Sequence, residues 1–245
     1  SSRDAQSQAQ RIKRHLQAPD GIRLYECPIP YSGGKMTRFQ RAETATFFGR
    51  EIGLLYIHAQ LRYAEAMAIF GDAEAFWKAM RLANPVNIDA LLPKSSPRQA
   101  NTYFSSSDAL FSDRYQAQEK YQDFLAGKIP VTGGWRIYSS GPGIWLRLWH
   151  DYVQGIRFHF DHVEIDPVIP ARLTPCTMKF SFGNAIVNIT HHCPPLEAST
   201  LTINGERIDA RRHEDNPYRA GGFRVPRVQW NEYCEHGSVD IELEG

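Results

Sequence analysis

The sequence predicts an α+β chain, helical to about residue 155 and an antiparallel β sandwich from about 158 to 245. Three observations carry this. In the first part apolar residues recur at helical spacing, as in Leu61, Ala64, Ala68 and Phe70, or Ile144, Trp145, Leu148 and Trp149. After Gly155 the period falls to two: Phe158, Phe160, Val163 and Ile165 interleave with polar residues, as do Met178, Phe180 and Phe182, then Ala185, Val187 and Ile189. Finally, Asn204-Gly205 sits between Thr202-Ile203 and Glu206-Arg207-Ile208 and supplies both positive-φ positions of a type I′ hairpin turn.

A basic helix over Ala9–Leu16 ends before Pro19-Asp20-Gly21, and Cys27–Gly34, with two Pro and two Gly, reads as a loop. Thr44–Phe70 reads as helix, interrupted near Gly49–Gly53 and closed by Gly71-Asp72, and Ala73–Leu82 follows as a short amphipathic helix stopped by Asn84-Pro85; together they form an αα-hairpin. Residues 85–108, with Pro85, Pro93, Pro97 and a Ser-rich end, form a long loop of the kind that usually carries function. Gln116–Ala126 is helical, Gly127–Gly134 is a turn, and Pro142–Gln154 is helical again.

At 245 residues and 42% hydrophobic content, the chain is long enough to bury a substantial core in one large or two unequal domains. Lys plus Arg number 28 against 27 acids, so nothing in the charge calls for nucleic acid or an acidic membrane surface. No apolar run approaches the roughly 20 residues needed to span a bilayer, and the polar start is no signal peptide. Cys27, Cys176, Cys193 and Cys234 lie far apart, which fits reduced thiols and a cytoplasmic location better than a disulfide framework. His191-His192-Cys193 resembles a metal cluster only on paper, because neighbours on a strand point to opposite faces. No metal is expected.

Two stretches carry the chemistry. Arg50-Glu51-Ile52-Gly53-Leu54-Leu55-Tyr56-Ile57-His58 places a guanidinium, a carboxylate and an imidazole where a helical pattern begins, and Tyr138-Ser139-Ser140-Gly141-Pro142-Gly143 places hydroxyls and free amides ahead of another. Such groups at helix starts suit a bound phosphate and a sugar. By spacing and turn chemistry alone, Ser-Ser-Gly-Pro-Gly is more often just a turn that starts a helix.

The first stretch resembles the Arg-Glu-Asn-Gly-Gly-Gln-Tyr-Thr-His motif of glycoside hydrolase family 94, the cellobiose, chitobiose and β-glucan phosphorylases, through Arg50, Glu51, Gly53, Tyr56 and His58. Gly155-Ile156-Arg157, then Glu164-Ile165-Asp166-Pro167 and Ile169-Pro170, is similar to the segment that leaves that family's catalytic barrel. The resemblance runs from about residue 8 to 175. It implies a C-terminal portion: residues 1–157 as the second half of an (α/α)6 helical barrel and 158–245 as the C-terminal antiparallel β-sandwich domain.

Its implied chemistry is inverting phosphorolysis of a short β-glucan, in which inorganic phosphate takes the place of water and α-glucose 1-phosphate leaves. Phosphate is the co-substrate and no other cofactor is implied. His58 falls on the family's phosphate-binding His, and Ser139, Ser140 and Gly141 on its phosphate loop, here Ser-Ser rather than Thr-Gly. Arg50, Glu51 and Tyr56 fall on the sugar side, Glu51 as an acceptor for sugar hydroxyls; a helix-starting Glu51 paired with Arg50, and a Tyr56 packed in the core, are the plain readings. Ile52 and Leu55 replace Asn and Gln of the motif.

The family's general acid lies upstream of its motif, and no residue here matches it; Asp108 and Asp113 are weak stand-ins. The catalytic acid is therefore expected outside this chain. The chain is expected to be inactive without an N-terminal portion, which would join it as another chain or fragment in an oligomeric enzyme. The competing reading is a non-catalytic carbohydrate-binding or assembly subunit. Trp145 and Trp149, one helical turn apart, read as core residues rather than sugar platforms, and Trp135 is an aromatic of the same segment.

Overall fold

Gly155, with φ 75° and ψ 29°, ends the helical stretch before it and hands the chain to the strand that begins at Ile156. In this computed structural model residues 2–24, 26–27, 54–97, 106–134, 140–209 and 212–245 are described. The expected helix over 44–53, the loop over 28–34, and Arg50, Glu51, Trp135 and Ser139 lie outside them. By contacts the chain divides into two units, residues 1–64 with 78–145, and residues 65–77 with 146–245.

In the first unit α1 (Ser2–Leu16) carries Lys13, Arg14 and His15 in its last turn, where cations suit the negative end of the helix dipole. The β1 (Gln17–Ala18) and β2 (Gly21–Ile22) hairpin follows. Next, β3 (Leu54–Tyr56) runs directly into α2 (Ile57–Phe70), which pairs with α3 (Ala73–Ala83) as the expected αα-hairpin. Asp72 caps α3 by accepting from the Ala75 amide at 3.0 Å. Gln60 is 1% exposed and each of its polar atoms has a partner: its Oε1 accepts from the Ile22 amide at 2.7 Å, and its Nε2 donates to the Ala79 carbonyl at 3.2 Å. One buried amide thus ties the β2 hairpin to both helices.

The expected loop over 85–108 and turn over 127–134 are corrected by the structure. They contain α4 (Ile88–Leu91), β4 (Ser95–Pro97), β5 (Ser106–Ala109) and β6 (Val131–Gly134), and these strands join β3 in a sheet ordered β3-β5-β6-β4. β3/β5 and β5/β6 are antiparallel and β4/β6 parallel. Strands of three or four Ser- and Gly-rich residues show no period of two; they persist because neighbouring strands satisfy their backbone groups. Likewise the single helix expected over 116–126 is two short ones, α5 (Arg114–Glu119) and α6 (Tyr121–Leu125), meeting at Lys120. Ala18, Ala109, Phe111, Ala117, Tyr121, Phe124 and Val131 form the core beneath them.

α7 (Ser140–Leu148) continues as a π-helical turn over Trp149–Gln154. In the second unit the α2–α3 tip packs on that turn, Phe76 against Tyr152 at 6.0 Å and Trp77 against Trp149 at 6.1 Å, with Arg147 on Glu65 at 2.8 Å. Then come β7 (Ile156–Phe158), β8 (His162–Ile165), β9 (Cys176–Phe182), β10 (Ala185–His191), β11 (Thr200–Ile203), β12 (Glu206–Ile208), β13 (Phe223–Pro226), α8 (Arg227–Glu235) and β14 (Ser238–Glu244). A five-stranded sheet ordered β12-β11-β14-β10-β9 and a three-stranded sheet ordered β13-β8-β7 contribute to one core with Trp230 of α8.

The hairpin at Asn204-Gly205 has φ values of 50° and 79°, as the turn type requires. The purely antiparallel expectation fails at one place: β14 lies parallel to β10, Val187 opposite Val239 and Ile189 opposite Ile241. α8 makes the crossover that a parallel return needs. The tail's own alternation, Val239, Ile241 and Leu243 buried between exposed Asp240, Glu242 and Glu244, identifies β14 as a strand but not its partner.

Candidate functional site

Of the residues singled out for phosphate and sugar, the structure places Tyr56, His58, Ser140 and Gly141. Tyr56 ends β3 at 43% exposure and His58 is the second residue of α2; their rings stack at 5.0 Å and 30°. The first amides of a helix have no intrahelical acceptor, so His58 lies in a turn that presents donors and the positive end of a dipole. Ser140 and Gly141 open α7 in the same manner, with Pro142 in its first turn where a missing amide is harmless. Further along α7, Trp145 donates from Nε1 to the Met80 carbonyl at 2.9 Å, anchoring that helix to α3 within the first unit. Asp113 caps α5 by accepting from the Gln116 amide at 2.8 Å, which holds its carboxyl below the ordinary value and suits it poorly to proton donation. Asp108 pairs with Leu54 across β3 and β5.

Sequence reasoning missed a charged cluster in the second unit, built by the residues similar to the barrel-exit segment. Arg157 donates from Nη2 to Glu164 at 2.7 Å and to Asp166 at 2.6 Å, and from Nη1 to the Asp151 carbonyl at 2.8 Å. Arg219 holds Asp166 with both terminal nitrogens at 2.8 Å, and His213 Nε2 lies 2.6 Å from Glu164. Burial pushes the Glu164 carboxyl up, but the Arg157 charge and the bonds from Arg157 and His213 outweigh it and hold the group at about 2. The readable signal was Arg-x6-Glu-x-Asp across a hairpin, where side chains two apart share a face. The partners His213 and Arg219 come from a distant loop and leave no such signal.

His191 closes β10 with its ring fully buried, while His192 is exposed, so the pair does face opposite ways. Burial, then the neighbouring His192, push the His191 imidazole down to about 4. A base whose folded value lies below its unfolded value of 6.5 takes its proton first in the unfolded chain, so its contribution to stability is intact above pH 6.5 and is lost as pH falls toward 4. At about 1.4 kcal/mol per unit the loss is about 3 kcal/mol. Urea unfolding at pH 7 and pH 4.5 of the wild type and of His191→Leu checks this: the wild type should lose stability relative to the variant on acidification, and equal losses would refute it.

Residues 155–234 match the family model described as a glycoside phosphorylase C-terminal domain. The chain is also 42% identical over 231 residues, 94% of its length, to a 1,2-beta-oligoglucan phosphorylase of Listeria innocua serovar 6a. It spans about a fifth, 21%, of that relative. Among the described residues no helix is long and apolar enough to cross a membrane. The Gly155-Ile156-Arg157 and Glu164-Ile165-Asp166-Pro167 motifs, with His213 and Arg219, fall inside the matched segment. Residues 155–234 thus belong to the glycoside phosphorylase C-terminal domain family, and the likeness to a glycoside phosphorylase extends over nearly the whole chain.

Proposed function

We propose that this chain is the phosphate-binding C-terminal portion of an inverting β-glucoside phosphorylase acting on a short β-1,2-linked glucan. The observation that carries the reading is the 42% identity over 94% of the chain to a 1,2-beta-oligoglucan phosphorylase. His58 and Ser140-Gly141 at the starts of α2 and α7 support the phosphate role. In the reaction a phosphate oxygen attacks the anomeric carbon, the glycosidic bond breaks on the opposite face, and an acid protonates the leaving oxygen, giving α-glucose 1-phosphate with inversion. A multiply charged nucleophile needs no strong base. It needs positive charge and oriented donors, which His58, Ser139, Ser140 and the Gly141 amide supply.

Arg50, Glu51 and Tyr56 then face the sugar, with residues 1–157 belonging to an (α/α)6 barrel completed by an N-terminal portion that brings the acid. The assembled enzyme is oligomeric and cytoplasmic in this reading. Its test uses the chain joined to the upstream part of the enzyme, phosphate and a β-1,2-glucan oligosaccharide. Release of α-glucose 1-phosphate is expected, and His58→Ala should weaken phosphate binding by about 1.5–3 kcal/mol, roughly tenfold or more, with one charge-assisted bond lost. An unchanged phosphate KM in a folded variant removes His58 from the site, and no sugar phosphate at all defeats the phosphorylase reading.

A further inference from the structure

We propose that the β7–β8 hairpin carries a zinc site, with His159, His162 and Glu164 as its protein ligands. This rests on hairpin geometry and is independent of the phosphorylase reading. One donor atom from each of the three residues lies within 4.8 Å of the others. His162 and Glu164 are two apart on β8 and so share a face, and His159 stands across the turn, its amide donating to the His162 carbonyl at 2.9 Å. The two imidazoles lie parallel, 4.4 Å apart at 11°. His159 Nε2 is 3.3 Å from Glu164 Oε2.

The hydrogen-bond geometry favours a cation. His162 Nδ1 donates to an Asp161 carboxylate oxygen at 2.7 Å, so Nε2 is the ring nitrogen left for a metal. That Nε2 is buried and has no hydrogen-bond partner among the described residues. A carboxylate behind a ligating imidazole is the usual support for a metal-bound histidine, fixing its tautomer and raising its basicity. Glu164 is held by Arg157 and His213 through Oε1, which leaves Oε2 for a single bond. Two imidazoles and one carboxylate suit zinc in tetrahedral form, with water as fourth ligand, and suit magnesium or calcium poorly. The ion would pin the tip of a hairpin on which Phe160 is 101% exposed. The spacing His-x2-His-x-Glu is readable in the sequence, whereas the expectation of no metal rested on the scattered cysteines and on His191-His192-Cys193.

The chain is stripped with EDTA and titrated calorimetrically with zinc chloride and, separately, magnesium chloride, with cobalt absorption reporting geometry. Expected are one zinc per chain at micromolar affinity, tetrahedral cobalt bands and no magnesium binding. His159→Ala and His162→Ala should each weaken zinc at least about tenfold, and Asp161→Ala, whose side chain is exposed, by about 10–100-fold. His192→Ala, beside the exposed pair Glu242 and Glu244, should bind as the wild type does. The proposal is overturned by an absence of stoichiometric zinc, by folded His159 and His162 variants that bind normally, or by loss on His192→Ala instead.

Discussion

Replacing Gly155 with alanine is expected to lower the unfolding free energy by about 2–5 kcal/mol, the sum of roughly 1–2 for an L side chain in the left-handed region and 1–3 for atoms forced into a packed site. The residue has φ 75°, and a Cβ built on it falls 2.2 Å from the Pro167 nitrogen and 2.3 Å from its Cα. Neither neighbour can swing aside, since both are backbone. The site is fixed by three hydrogen bonds: the Gly155 amide to the His150 carbonyl at 3.0 Å, the Asp166 amide to the Gly155 carbonyl at 2.7 Å, and the Val168 amide to the Tyr152 carbonyl at 2.6 Å. Gly183, in the β9–β10 turn at φ 56° with nothing within 4 Å of its would-be Cβ, is the matched control. Gly183→Ala carries only the conformational part. Urea unfolding of both variants separates the two contributions, and a Gly155 variant no less stable than the Gly183 variant would show that the approach of Pro167 is harmless.

How far the sequence alone reaches depends on how local each feature's cause is. Asn204-Gly205 and Ala185–Ile189 are settled by neighbours in the chain, so turn chemistry and alternation find them. Ser140 opens a helix behind a short polar run, and that too is local, whereas His58 opens α2 directly behind the apolar strand Leu54-Leu55-Tyr56 and is singled out by its motif rather than by any polar run. The β3-β5-β6-β4 sheet is not local, since its strands are three or four residues long and gain their order from partners across the unit. The parallel seat of β14 beside β10 has the same origin. Within the charged cluster, Arg157, Glu164 and Asp166 can be read as a hairpin pattern, while Arg219 and His213 arrive through a loop whose path no periodicity encodes.

Arg157→Ala is expected to cost about 3–5 kcal/mol, because it removes one partner from a largely buried ionic network and strands the others. Glu164 and Asp166 have 7% and 2% of their side chains exposed, against 19% for Arg157. Asp166 keeps its two bonds from Arg219, so the loss falls mainly on Glu164, which retains His213 and the more distant His159. The guanidinium also lies 5.0 Å from the Tyr152 ring, and that packing goes with it. Acid titration distinguishes charge from packing. In the wild type Glu164 sits at about 2 against an ordinary 4.5, so its contribution is complete above pH 4.5 and lost as pH falls toward 2. Without Arg157, burial acts on Glu164 with less opposition and its carboxyl moves up, so protonation now relieves a stranded charge. The stability gap between the wild type and Arg157→Ala should therefore narrow as pH drops below 4.5. Arg157→Met, which keeps most of the stem but no charge, should show the same narrowing from a smaller starting gap. A gap independent of pH in both variants would assign Arg157 a packing role and leave the carboxylates to be held by Arg219 and His213.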